Sequence, residues 1–182
     1  KKNWIENKPE EWYKIYIGGV SMASRLLWEN IIPGCDPLDD GNPICFANGI
    51  FTGTPVPVGG KFGLASKSPL TGVIGDSLSG SWFSVALKRA GWDGVVLHNS
   101  CDKWTQLFID DDRVQFNDAT YLLGKGTFDT EEAIREHLGD DQIRSCTIGP
   151  AGENMVRYAN VTNDGRQLGR TGHGMLWGHK KL

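Results

Sequence analysis

Cysteine is sparse and scattered in this chain: Cys35, Cys45, Cys101 and Cys146 form no C-x-x-C pair, and none stands near a histidine at metal-ligand spacing. An iron–sulfur or zinc site is therefore not written in these residues. An even count admits two disulfides, but 182 residues bury a core without covalent staples, so buried reduced thiols and a reducing compartment are expected. No apolar run reaches the roughly 20 residues of a membrane helix. The opening KKNWIENKPEEWY has no apolar centre of the signal-peptide kind. A cytoplasmic protein with no membrane partner is the expectation. Excess charge is missing too: the net value is −3 and Lys and Arg stand singly, without the basic face of a nucleic-acid binder.

Catalytic pairs are equally scarce. His98, His137, His173 and His179 form no H-x-x-x-H, and no acid sits where it would orient them. For His173, inside a Gly-Arg loop, a phosphate contact or plain solvent exposure is expected ahead of general-base work. The triplet Asp110, Asp111 and Asp112 lacks the spaced oxygen ligands of a calcium loop and reads as a hairpin tip.

Glycine is what the chain has in excess, 24 of 182 residues, nearly twice the usual share of about 7%. It concentrates in Gly53–Phe83, GTPVPVGGKFGLASKSPLTGVIGDSLSGSWF, and Ile148–Gly174, IGPAGENMVRYANVTNDGRQLGRTGHG. Glycine lets the main chain approach a ligand closely, and exposed amides form anion-binding nests. Lys61, Lys67, Arg166 and Arg170 add fixed charge, so the two loops together suit a large ligand carrying several phosphates. Neither loop matches G-x-x-x-x-G-K-[ST] or G-x-G-x-x-G. Tight turns and strand crossings explain one such loop better than a ligand does; two loops with cations bring the readings level.

Along the chain, Pro9 starts a helix that Gly18-Gly19 breaks, and a second helix runs from Ser21, as cap, to about Asn30 with Met22, Leu26 and Leu27 on one side. Strands are expected at 44–47, 61–67 and in the GVVLH run, and a hairpin in TQLFIDDDRVQFND. Ser79 or Ser81 caps a helix over SWFSVALKRAG, whose N-terminus adds free amides to the anion site. A helix over 127–138 with Asp129 or Thr130 as cap, and strands at 143–148 and 156–161, complete an α+β chain read as one domain. The halves share an order of elements, with Cys45 and Cys146 in equivalent places; a duplication and a coincidence fit that order equally.

The blocks GTPVPVGGKFGLASKSPLTG, SGSWFSVALKRAGWDGVVLHN and IGPAGENMVRYANVTNDGRQLGRTGHG, collinear from about Glu11 onward, resemble the N-terminal domain of the tungsten-containing aldehyde:ferredoxin oxidoreductase family. The resemblance implies a duplicated, β-rich saddle with a few short helices, spanning residues 1–182, beneath a bis-pyranopterin cofactor that holds tungsten or molybdenum. It places Lys61 at the family's arginine between pterin and cluster, retaining charge without the planar fork. It places Leu78 and Gln167 where backbone carbonyls bind a magnesium bridging the two pterin phosphates. Ser79, Gly80, Ser81, Arg166, Gly169 and Arg170 fall on the rest of the cofactor-binding pattern.

The resemblance implies aldehyde oxidation to a carboxylic acid, with ferredoxin as the electron acceptor. The family's [4Fe–4S] cysteine run, substrate channel and acid/base residues lie in further domains that these residues do not include. The chain is thus expected to be a fragment or one subunit of a larger enzyme, with no catalytic residue of its own and no turnover alone. A subunit of a tungsten aryl-CoA reductase and a non-catalytic pterin-binding or assembly module are the alternatives.

Overall fold

The computed structural model describes residues 3–182. Pro9 precedes α1 (Glu10–Tyr16), whose first turn carries Glu10 and Glu11 at the positive end of the helix. Next is α2 (Gly19–Asn30), which begins two residues before the expected Ser21 cap: Gly18 is the N-cap, with no side-chain bond. Ser21 is then an exposed residue of the first turn, because Gly19 packs flat against the sheet below.

That sheet contains β1 (Ile44–Asn48), β2 (Lys61–Lys67), β3 (Ile74–Gly80) and β4 (Gly94–Leu97) in the order β3-β2-β1-β4, all antiparallel. Its central strands are buried on both faces, and side-chain size divides them. Small residues, Cys45, Ala47 and Ala65, meet Met22, Ala23, Leu26 and Leu27 of α2. Large ones, Ile44, Phe46, Phe62 and Leu64, meet Ile148, Val161, Leu168, Leu176 and Trp177 from the second half of the chain. Alternation along each strand sends the two sets to opposite faces.

Between the halves come α3 (Trp82–Arg89) and the hairpin of β5 (Thr105–Asp110) and β6 (Arg113–Asp118), in the register that the alternating pattern predicts. Its tip is Asp111 and Asp112, with Asp111 at φ 50°. Then follow α4 (Thr127–Leu138), β7 (Cys146–Thr147), α5 (Pro150–Glu153), β8 (Val161–Asn163), β9 (Arg166–Leu168) and α6 (His173–Lys180). Strands β7, β8 and β9 make a second antiparallel sheet, so Cys45 in β1 and Cys146 in β7 open comparable strand sequences in the two halves.

Several expectations need correction. Gly126, not Asp129 or Thr130, is the N-cap of α4, and the Thr130 hydroxyl donates back to its carbonyl at 2.9 Å. The strand expected at 143–148 shrinks to 146–147, ahead of Gly149 and Pro150 which turn the chain into α5, and the strand expected at 156–161 is found at 161–163. Strands β3 and β9 lie within the two glycine-rich segments and α6 begins at the end of the second, where no such element was assigned. All four cysteines are free thiols; Cys35 and Cys45 are buried, Cys101 and Cys146 half-buried. No helix of the described residues is long and apolar enough to cross a membrane.

The α2–sheet contact is closest at Gly63, where a Cβ would meet the Val20 nitrogen at 2.5 Å and the Gly19 carbonyl carbon at 2.7 Å. Backbone on both sides leaves nothing flexible to yield. Gly63→Ala is expected to lower the stability of the chain by roughly 1 to 3 kcal/mol in urea denaturation; a loss below about 0.5 kcal/mol contradicts this packing.

Candidate functional site

The two glycine-rich segments meet along the edge of β3. Burial alternates on that strand: Gly75, Ser77 and Ser79 point inward, while Ile74, Asp76 and Leu78 are exposed. The inward row is joined to the second half by hydrogen bonds. Asn163 Nδ2 donates to Ser79 Oγ at 3.1 Å, and the Arg170 amide donates to Ser77 Oγ at 3.4 Å. Just before β3, Ser68 Oγ donates to the Thr171 carbonyl at 2.6 Å. Just after it, the Phe83 amide donates to Asp164 Oδ2 at 3.0 Å. Gly75 has no room for a side chain here, since a Cβ would lie 2.7 Å from Cβ of Thr171. Small residues thus let two backbones approach closely enough for hydroxyls to bridge them.

His173 sits at the base of this seam and departs from its expected role. It is 1% exposed, between Ser66 Oγ at Nδ1 and Thr171 Oγ1 at Nε2, both 2.9 Å away. Neither a phosphate nor solvent reaches it. The neutral imidazole, one ring nitrogen donating and the other accepting, satisfies both hydroxyls. Burial accordingly pushes its pKa down to about 4.

The outward row holds the predicted ligand-facing groups. Lys61 pairs with Gly80 across the β2–β3 ladder, and a Cβ on Gly80 would meet Lys61 Cδ at 3.1 Å. The Lys61 stem therefore lies on the face that Leu78, 53% exposed, also occupies. Arg166 pairs with Asn163, and Gln167 with Thr162, in the β8–β9 hairpin that flanks β3. Arg166, Gln167, Gly169 and Arg170 are all exposed. Lys61, Arg166 and Arg170 form no ion pair among the described residues, although Asp76 lies on the same exposed face of β3.

Serine hydroxyls are not part of that outward set. Ser79 Oγ is committed to Asn163, and Ser81, the N-cap of α3, accepts from the Phe83 amide at 3.1 Å. The same amide is held by Asp164, so a protein carboxylate already neutralises the N-terminus of α3 and the anion seat expected there is taken. Buried Ser79 thus offers a ligand only its main chain, whereas half-buried Ser81 keeps its hydroxyl proton free to donate.

Behind the β8–β9 turn, Glu131 of α4 is buried. Burial, with the nearby Asp164 charge, raises its pKa, while the backbone amides of Gly165 and Asp164 oppose the shift. Asn163, Asp164, Ser77 and Thr171, which build the seam, were not among the predicted site residues. The Asn-Asp-Gly run was their readable signal, since Asp164 at φ 45° and Gly165 at φ 72° form the primed hairpin turn those residues favour.

An apolar cavity of about 360 Å³ lies elsewhere, lined in part by Phe46, Phe83, Trp104, Ile134 and Trp177. It contains none of the predicted site residues and shares Phe46 and Trp177 with the core. No group of three or more His, Cys, Asp or Glu side chains among the described residues is placed to hold a metal ion. A metal at this site would have to arrive within a cofactor or rest on backbone carbonyls.

The outward rim is chemically compatible with a large anionic cofactor: Lys61 on one arm, exposed Arg166 and Arg170 on the other, and the open apolar side chain of Leu78.

Comparison with known proteins agrees in extent. The family described as aldehyde ferredoxin oxidoreductase, N-terminal domain, matches residues 1–182. The chain is 40% identical to the tungsten-containing aldehyde ferredoxin oxidoreductase of Thermococcus kodakarensis, over 98% of this chain and 30% of that protein. It is 38% identical to the enzyme of the same name from Pyrococcus furiosus, over the same shares. The chain thus spans under a third of the length of these relatives. Among solved structures it resembles the active site complex BamBC of benzoyl coenzyme A reductase in complex with 1,5-dienoyl-CoA. That match has a TM-score of 0.93 and 30% identity, covering 96% of this chain and 27% of the other.

The buried histidine gives a test of the seam. Unfolded, His173 titrates near 6.5; folded, near 4, so the unfolded chain binds more protons between those values. Its contribution is fully present above about pH 6.5 and is lost as pH falls, by about 2 kcal/mol at pH 5. Urea unfolding at pH 7 and pH 5 should show this loss, and His173→Gln should remove that share of it. An unchanged pH dependence in His173→Gln contradicts the buried neutral imidazole.

Proposed function

The chain belongs to the aldehyde ferredoxin oxidoreductase family, whose N-terminal domain it matches throughout, and from that premise we propose that it is the tungstopterin-holding domain of an enzyme that oxidises aldehydes to carboxylic acids. Electrons would pass through a [4Fe–4S] cluster, held by the remaining domains, to ferredoxin. The observation that carries this reading is the trio Lys61, Arg166 and Arg170, cations without carboxylate partners on two arms that the Ser79–Asn163 bond holds together. Unpaired charge at a shared rim favours a ligand with several phosphates. Free thiols throughout fit a reducing cytoplasm.

When bound, the cofactor supplies a metal centre for two-electron oxygen-atom and hydride chemistry that no side chain here performs. This chain's part is to hold it. Arg170 and Arg166 would meet phosphate oxygens, Lys61 would face the pterin edge nearer the cluster, and the Leu78 and Gln167 carbonyls would bind magnesium between the phosphates. The Gln167 side chain accepts from Thr162 Oγ1 at 3.0 Å, which turns it onto its own hairpin and leaves its main chain for that role. Residues 1–182 would form one unit of a longer enzyme, inactive alone.

A second reading, a subunit of an aryl-CoA reductase, is favoured by the fold match to the benzoyl coenzyme A reductase complex. Identity is higher to the aldehyde enzymes. A non-catalytic pterin-binding module is a third reading. Aldehyde-dependent viologen reduction by the full-length protein separates these readings.

Within the aldehyde reading, Arg170→Ala should lower tungsten and pterin content of the full-length protein about tenfold, as expected for a bidentate charge-assisted contact. Lys61→Ala should lose less cofactor and mainly slow electron transfer. Full tungsten occupancy in Arg170→Ala would reduce that arginine to a turn residue.

A further inference from the structure

We infer that Ser79 and Asn163 are a positioning pair that fixes the spacing of the two cofactor-holding arms before any ligand arrives, an inference that rests on the tungstopterin reading above. Ser79 lies between Leu78 and Gly80, and Asn163 opens the turn that leads to Arg166 and Gln167. Both side chains are buried, Ser79 at 4% and Asn163 at 0% exposure. Neither polar group can touch a ligand on the outer face.

What they do instead is bind each other across 84 positions of sequence, Asn163 Nδ2 to Ser79 Oγ at 3.1 Å. The same Nδ2 reaches the Arg166 carbonyl at 3.5 Å, across its own hairpin. A carboxamide suits this place because its nitrogen carries two protons, one for each arm. The other bonds of the seam sit further from the tips: Ser77 to the Arg170 amide, Ser68 to Thr171, and Ser66 to His173. Ser79–Asn163 stands beside Leu78 and Gly80 on one arm and Arg166 and Gln167 on the other, while Ser77 bonds the main chain of Arg170.

The consequence is kinetic. Arms joined in the free protein have already lost the freedom that a ligand would otherwise have to remove, and this slows cofactor release. Fold stability depends on the wider seam and the aromatic core, so loss of one bond at the tips should separate cofactor retention from folding.

The test uses the full-length protein. Tungsten release into excess chelator is followed by metal analysis, alongside thermal unfolding of the cofactor-free protein. Ser79→Ala is expected to release tungsten about fivefold faster, the change one neutral hydrogen bond supports, with unfolding within a few degrees of wild type. Ser79→Thr, which keeps the hydroxyl, should restore slow release. Asn163→Ser, too short to span the arms, should release at least as fast as Ser79→Ala. Wild-type release from Ser79→Ala, or faster release matched by an equal fall in cofactor-free stability, overturns the positioning role alone. A wild-type protein carrying no tungsten overturns the cofactor reading and this inference with it.

Discussion

The contact between the serine-bearing face of β3 and the 163–173 segment is the constraint on which the rest of the site depends. Each half of the chain has its own antiparallel sheet, and apolar packing of Phe46, Phe62 and Leu64 against Leu168, Leu176 and Trp177 presses them together. That packing is non-directional. The register of this contact comes from hydroxyls: Ser66 of β2 to His173, Ser68 just after it to Thr171, and Ser77 and Ser79 of β3 to Arg170 and Asn163. Such bonds are modest in net stability but costly to leave unmade once buried, so a slip of one residue would strand several polar groups at once. Register in turn decides which residues remain outside, and those are the cations.

How much of this was legible in the sequence follows from which forces are local. Helices α1, α3 and α4 and the β5–β6 hairpin were readable because periodicity, turn residues and alternation, with the Ser81 cap of α3, lie within a few residues of one another. Helix α6 was not: two glycines in HGMLWGHK lower its intrinsic preference, and burial of Leu176 and Trp177 overrides that deficit. Strand β3 hid among glycines and serines, whose reason for being small is a neighbour some 90 positions away. The same non-locality misled the reading of His173, taken for a loop residue when it is a buried spacer between two hydroxyls. Of the predicted site, Lys61, Arg166 and Arg170 stand out in the sequence by charge, but sequence had no means of assigning the Ser79 and Ser81 hydroxyls to internal bonds.

The division between faces carries the functional argument. Inward-facing polar groups on β3 are satisfied within the protein, whereas the cations beside its outward row lack carboxylate partners among the described residues. Most cations of the described residues share that state, so it is the placement of these three on the two joined arms that suits the proposed anionic cofactor. Asp164, meanwhile, keeps a ligand off the N-terminus of α3 by occupying it. On the proposed reading anion binding falls to the two arms, in keeping with a domain that holds a cofactor for chemistry completed by other parts of a longer enzyme.

The most direct test of this account is amide hydrogen exchange on the full-length protein with and without its tungstopterin. If the two arms form one seat, removing the cofactor should speed exchange in residues 78–81 and 166–170 together, while Phe46, Phe62 and Leu64 in the core strands stay protected. Faster exchange in one arm alone, or in neither, would contradict a shared seat.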